Sequence, residues 1–222
     1  MLIKSDGGAR IVAGYALREA LRRKVFVVVV VLTLAFLALY SYGSKQAFDE
    51  VSRIGPGIPA DIHEEVLTGS TLLGLAMFVT LFLGTVIAVF VTLNAVRGDA
   101  ERGLLQPLVV RPIGRSTLLL ARFLAAGAVC VLYVLIVYAA AVLLTHATGG
   151  YWPDNPLYGA LSLSLAVLVI VAIALLGTTL LSSTANGIAI FMVFGAGLAS
   201  GLIGQIGSAL NSSALERISS IA

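Results

Sequence analysis

Long uncharged apolar segments alternate along the chain with short polar stretches rich in glycine and proline. A helix needs about 20 apolar residues to cross a bilayer core. Five segments have that character: 25–42, 68–96, 117–145, 158–181 and 187–206. The pattern predicts an all-α integral membrane protein with five transmembrane helices, forming a single domain over residues 1–222. The first segment is read as a retained span, because a secretory signal peptide has a shorter apolar core followed by a small-residue cleavage site. Tyr40 and Tyr42 are expected at its outer interface, where amphipathic rings settle.

The connections carry the remaining local signals. Gly43 to Leu67 reads as a polar loop, with a turn at Gly55-Pro56-Gly57-Ile58-Pro59. His63-Glu64-Glu65 lacks the second histidine of a zinc-protease helix, so a solvated acidic loop is the better reading. His146 to Leu157 suits a turn whose Tyr151-Trp152-Pro153 supplies an interfacial anchor, and Ser182 to Asn186 reads as a tight cytoplasmic turn. Gly74, Gly84 and the threonines of the second span mark a packing face before they mark a substrate path. Gly197 and Gly201 add a GxxxG spacing of low specificity. Residues 9–24 have helix-forming composition and end in charge, which fits an interfacial helix or simply a basic flank.

Composition narrows the class. Hydrophobic residues make up 59% of the chain and charged ones 11%, and the mean hydropathy is +1.04, outside the range of soluble domains. Cys130, the single cysteine, lies within an apolar segment and reads as a small buried residue. Charge placement matters more than the net charge of +3, and a nucleic-acid surface is not implied. Lys4, Arg10, Arg18, Arg22, Arg23 and Lys24 precede the first span; Arg97, Arg102, Arg111, Arg115 and Arg122 lie between the second and third. Lys45, Arg53 and Arg217 fall on the other side. The positive-inside rule then puts the amino terminus and the 97–122 stretch in the cytoplasm, and five spans put the carboxyl terminus of this chain outside.

The basic stretch, RGDAERGLLQPLVVRPIGRSTLLLAR, is the focus of the chain. Asp99 can cap a short helix whose first turn holds Glu101. Pro107 and Pro112 limit its length. Leu104, Leu105 and Leu108 would form an apolar face, and exposed leucines between membrane segments call for a partner groove. Other chemistry is thin. No GxxxxGK[ST] phosphate loop occurs, and the lysines are Lys4, Lys24 and Lys45, so ATP hydrolysis by this chain is not expected. Two histidines and one cysteine suggest no metal, cofactor or catalytic cluster. Between Phe123 and Ile206 Asp154 alone carries a full charge, and it sits in a loop. Charges in a bilayer core are kept mainly where ions or protons move, so an ion-coupled pump is disfavoured.

The run Glu101, Arg102, Gly103, Leu104, Leu105, then Leu108, then Arg111-Pro112-Ile113-Gly114-Arg115, resembles the first cytoplasmic loop of type-2 ATP-binding-cassette transporter permeases. Leu104 stands where a threonine is common in that family, and Pro107 interrupts a helix that is usually continuous. Leu17 to Lys24, with Glu19, Arg22 and Arg23, is similar to the family's amphipathic elbow helix. The resemblance implies that residues 97–116 form a coupling helix and loop docking on a separate cytoplasmic ATPase subunit, which binds ATP and Mg. The implied contacts are Asp99, Glu101, Arg102, Gly103, Leu104, Leu105, Leu108, Arg111, Pro112 and Arg115. Glu101 and Arg102 would orient the helix, Gly103 would allow close approach, and Leu104 and Leu105 would fill the partner's groove. It further implies a cell-membrane exporter working with a second permease copy or a paralogue. The family's six spans imply that these five belong to an original six, although a true five-span protein also fits. The alternative is a non-transporting membrane anchor or assembly factor that recruits a cytoplasmic partner through the same loop.

Overall fold

A computed structural model describes residues 24–54, 64–92 and 115–209. Five helices follow one another: α1 (Lys24–Ile54), α2 (Glu64–Thr92), α3 (Arg115–Gly149), α4 (Pro156–Leu180) and α5 (Ser183–Ala209). Each is long and apolar enough to cross a membrane, and no strand occurs among the described residues. The all-α membrane architecture expected from hydropathy is therefore present. Of the 9–24 elbow segment, residues 9–23 lie outside the described residues, and Lys24 is the first residue of α1.

Several helix ends differ from the expected ones. The polar loop expected from Gly43 is helical as far as Ile54, because nothing between Ser44 and Arg53 breaks a helix and the Gly55-Pro56 pair comes only afterwards. Gln46 Nε2 donates to Tyr42 Oη one turn back at 3.1 Å, and Phe48 buries its ring against the C-terminal end of α3 at Gly149. At 31 residues the helix is about 46 Å long, more than a hydrocarbon core of about 30 Å requires. The predicted end of α2 at 93–96 lies outside the described residues. α3 runs four residues past Thr145 and stops where Gly150 takes a left-handed φ of +68°, its amide donating to His146 O at 2.9 Å, a common helix stop. Pro156 opens α4, where its missing amide hydrogen costs nothing. The polar turn expected over Ser182 to Asn186 shrinks to Leu181 and Ser182, since α5 begins at Ser183.

Close contacts give the topology. Gly84 of α2 meets Val134 of α3, and Gly69 meets Tyr151 just beyond α3; Gly127 and Gly159 meet Leu168 and Tyr138 across the α3–α4 interface. Residue numbers fall on one partner as they rise on the other, so α3 is antiparallel to both α2 and α4. α1 runs alongside α3, with Thr33 at Tyr133 and Tyr40 at Thr145. α2 and α3 form the central pair, each packing against the other and against α1 and α4, while α5 lies outside against α4 and, more lightly, α2. Buried positions recur at helical spacing, as in Gly159, Leu163, Val167, Val171, Ala174 and Thr178 of α4. The tightest positions are small: Ala76, Ala88, Cys130, Ala141 and Ala174 are wholly buried. Small residues allow helix backbones to approach where lipid removes the usual hydrophobic drive between helices. Tyr40 departs from expectation by turning inward at 6% exposed, leaving Tyr42 to face outward.

Gly84 and Gly74 of the same helix separate packing from propensity. A methyl group at Gly84 would stand 2.7 Å from Val134 Cγ2 and 3.4 Å from Val167 Cγ2, whereas one at Gly74 would meet nothing within 4 Å. Gly84→Leu should lower stability in detergent by about 1–3 kcal/mol through overpacking, and Gly74→Ala should leave it unchanged or raise it by up to about 1 kcal/mol. Thermal unfolding followed by the single tryptophan checks this; equal losses at the two positions would refute the close approach of α2 to α3 and α4.

Candidate functional site

The loop singled out by charge is mounted on the centre of the bundle. α2 is described to Thr92 and α3 from Arg115, so residues 93–114 connect two helices that pack directly against each other. Arg115 is the first residue of α3. Asp99, Glu101, Arg102, Gly103, Leu104, Leu105, Leu108, Arg111 and Pro112, with Glu19, Arg22 and Arg23 of the elbow segment, lie outside the described residues. At the root of the loop Thr92 is 1% exposed and donates to Ala88 O at 2.8 Å, so its hydroxyl is satisfied within α2.

Among the described residues, the polar groups buried between the helices are neutral. They belong to Thr33, Ser44, Thr80, Thr85, Thr92, Thr145, Thr178 and Asn186. The threonines donate to carbonyls of the preceding turn of their own helices, for example Thr80 to Ala76 O at 2.7 Å and Thr145 to Ala141 O at 2.8 Å. That satisfies the hydroxyl hydrogen inside one helix, as low-dielectric surroundings require. The oxygens can still accept. Thr33, which donates to Val29 O, receives Tyr133 Oη, and Thr145 receives Tyr40 Oη at 2.6 Å. Two hydroxyl pairs therefore clasp α1 to α3. Ser44, on the same face of α1, is wholly buried and has no hydrogen-bond partner among the described residues.

The other end of the bundle is closed by rings. Tyr138 Oη donates to Pro156 O at 3.1 Å, and its ring packs where Gly159 leaves room. Tyr151 fills the space over Gly69. Trp152 is half exposed and meets His146 edge-on, with ring centres 5.4 Å apart. Gly197 and Gly201 meet no neighbour within 4 Å, so the GxxxG spacing plays no part in packing among the described residues.

A profile of the family described as ABC-2 family transporter protein matches residues 10–218. The chain belongs to the ABC-2 transporter family. No curated protein and no solved structure matches it. As an ABC-2 permease domain it is a multi-pass membrane subunit of an ABC transporter, a family associated with an ABC ATPase and a lipid bilayer. The permease fold uses the hydroxyl clasps as structural bonds. Asn186, read from sequence as part of a turn, is instead a buried bridge from α5 to α4; the signal that could have found it is an amide side chain in the first turn of an apolar span.

The Tyr40–Thr145 clasp should be measurable. In a double-mutant cycle with Tyr40→Phe and Thr145→Val, the coupling should be about 0.6 kcal/mol, the usual scale of hydrogen bonds between membrane helices. Reversible unfolding in mixed micelles reads it, and additive single effects would mean that the hydroxyls do not hold α1 to α3.

Proposed function

We propose that this permease exports its substrate across the cell membrane, driven by a separate cytoplasmic ATPase subunit that docks on residues 97–116 and binds ATP and Mg. The observation that carries the reading is the mounting of this loop on α2 and α3, the packed pair at the centre of the bundle. A displacement at the loop would reach the core directly. The neutrality of every buried polar residue among those described supports an energy source outside the spans. On this reading Glu101 and Arg102 orient the short helix, Gly103 allows close approach, and Leu104 and Leu105 enter the partner's groove. Asp99, Leu108, Arg111, Pro112 and Arg115 complete the contact, and Glu19, Arg22 and Arg23 hold the elbow at the inner surface. The amino terminus is cytoplasmic, and a second permease copy or a paralogue completes the transport path.

Gly103→Trp combined with Glu101→Lys should weaken ATPase binding by at least about tenfold, equivalent to about 1.4 kcal/mol, while the permease stays folded and inserted. Co-purification with the ATPase, and substrate-stimulated hydrolysis in liposomes, measure this. Binding and coupled transport at parental levels would show that the loop does not dock the ATPase. Recruitment of the ATPase by the parent chain with no substrate-linked hydrolysis would favour the anchor reading.

A further inference from the structure

Asn186 occupies the first turn of α5 with 1% of its surface exposed. Its Nδ2 donates to the carbonyl oxygen of Ala174 on α4 at 2.9 Å. Gly177, almost one turn further along α4, faces the same carboxamide; a Cβ there would collide with its oxygen and carbonyl carbon. The side chain therefore fills space that only glycine leaves free. The short link between the helices is bonded at both ends, Leu181 N to Gly177 O at 2.8 Å and Asn186 N to Ser182 O at 2.9 Å.

Further contacts of α5 are apolar. Ile190 packs with Val89 and Ala174, and Phe191 and Phe194 lie 6.2 and 5.9 Å from Phe82, measured between ring centres. Less of α5 is buried than of the other four spans. In hydrocarbon, apolar contacts compete with equally apolar lipid tails, so they discriminate weakly between one helix rotation and the next. A carboxamide bonded to one carbonyl and seated in one notch is directional, and withdrawing it leaves a buried polar group unsatisfied.

We propose that Asn186, seated in the notch at Gly177, is the positioning residue that sets the rotation of α5 about its own axis against α4. It thereby decides which side of α5 is turned away from the four-helix core, the side that now carries Ile188 and Met192 at 57% and 69% exposed. On the permease reading, the same clasp makes α4 and α5 one body during transport. The rotation itself belongs to this chain alone and is measured without ATPase or substrate, so its failure is separate from failure of the transport reading.

The test uses the full chain in membrane vesicles, with Cys130→Ser removing the single native cysteine. The pair Phe82→Cys/Phe191→Cys reports the rotation of α5, and Thr33→Cys/Tyr133→Cys reports the α1–α3 interface as a control. Both are joined with a short bifunctional thiol reagent. Asn186→Ala should lower the 82–191 yield about threefold, and Gly177→Ala should do the same with Asn186 present but add little once Asn186 is alanine. The 33–133 yield should hold throughout. Unchanged 82–191 yields, or additive losses from the two substitutions, would overturn the notch. A parallel fall of both pairs would also overturn it, since that would be a general loss of folding.

Discussion

The constraint on which this bundle rests is the absence of water between its helices. A hydroxyl or amide buried there has only protein to bond, and an unbonded one carries its full desolvation cost. Most of the buried threonines meet the requirement by donating to their own backbone, which leaves each helix a closed rod. Directional bonds between rods then come from a short set of side chains: Tyr40 and Tyr133 joining α1 to α3, Tyr138 reaching the start of α4, and Asn186 joining α5 to α4. Apolar packing supplies the rest through shape. It is closest where residues are small, as at Gly84 against Val134 and Gly127 against Leu168. α3 can share the centre with α2 because its inward face, Ala126, Cys130, Val134, Val137, Ala141 and Thr145, offers mostly small surfaces at helical spacing to three neighbours.

The same solvent explains what could be read from sequence. Hydropathy located all five spans, because crossing the bilayer demands apolar length whatever the packing. It could not place the helix ends, since a helix does not stop at the membrane surface; α1 continues over Ser44 to Ile54. Nor could it separate lipid-facing from protein-facing positions. Leu163 is buried and Leu161 exposed in one helix, yet both belong in hydrocarbon, so no polar face marks the difference. Tyr40 and Tyr42 show the same ambiguity: two residues apart, they point to opposite environments, and only Thr145 on the facing helix accounts for the inward turn of Tyr40.

The charged loop was legible for another reason. Charge, glycine and proline concentrated between two uncharged spans stand out against the bilayer rules, and the family profile over residues 10–218 agrees with the class they indicated. The structure supplies the mounting of that loop, while residues 93–114 lie outside those described. Asn186 was misread because Ser182-Ser183-Thr184-Ala185-Asn186 looks like a polar turn. Polar composition marks a turn only where water reaches it, and here the last residue of the run points into α4 at the notch of Gly177.

The distribution of directional bonds bears on how the bundle would carry a force. A load at residues 93–114 enters α2 and α3 together, and their close packing leaves little room for one to slide past the other without moving Val134 off Gly84. α1 is tied to α3 by two hydroxyl pairs at separate heights, a geometry that resists tilting as well as sliding. α4 shares with α3 both the Tyr138 bond and the Gly127 and Gly159 contacts. These four helices have the linkages of one rigid unit. α5 is joined to that unit by the Asn186 hydrogen bond in its first turn, with softer aromatic contacts to Phe82 along its length. With the notch at Gly177 holding that carboxamide, the surface α5 offers to lipid or to another chain is set by a directional bond more than by the apolar area it buries.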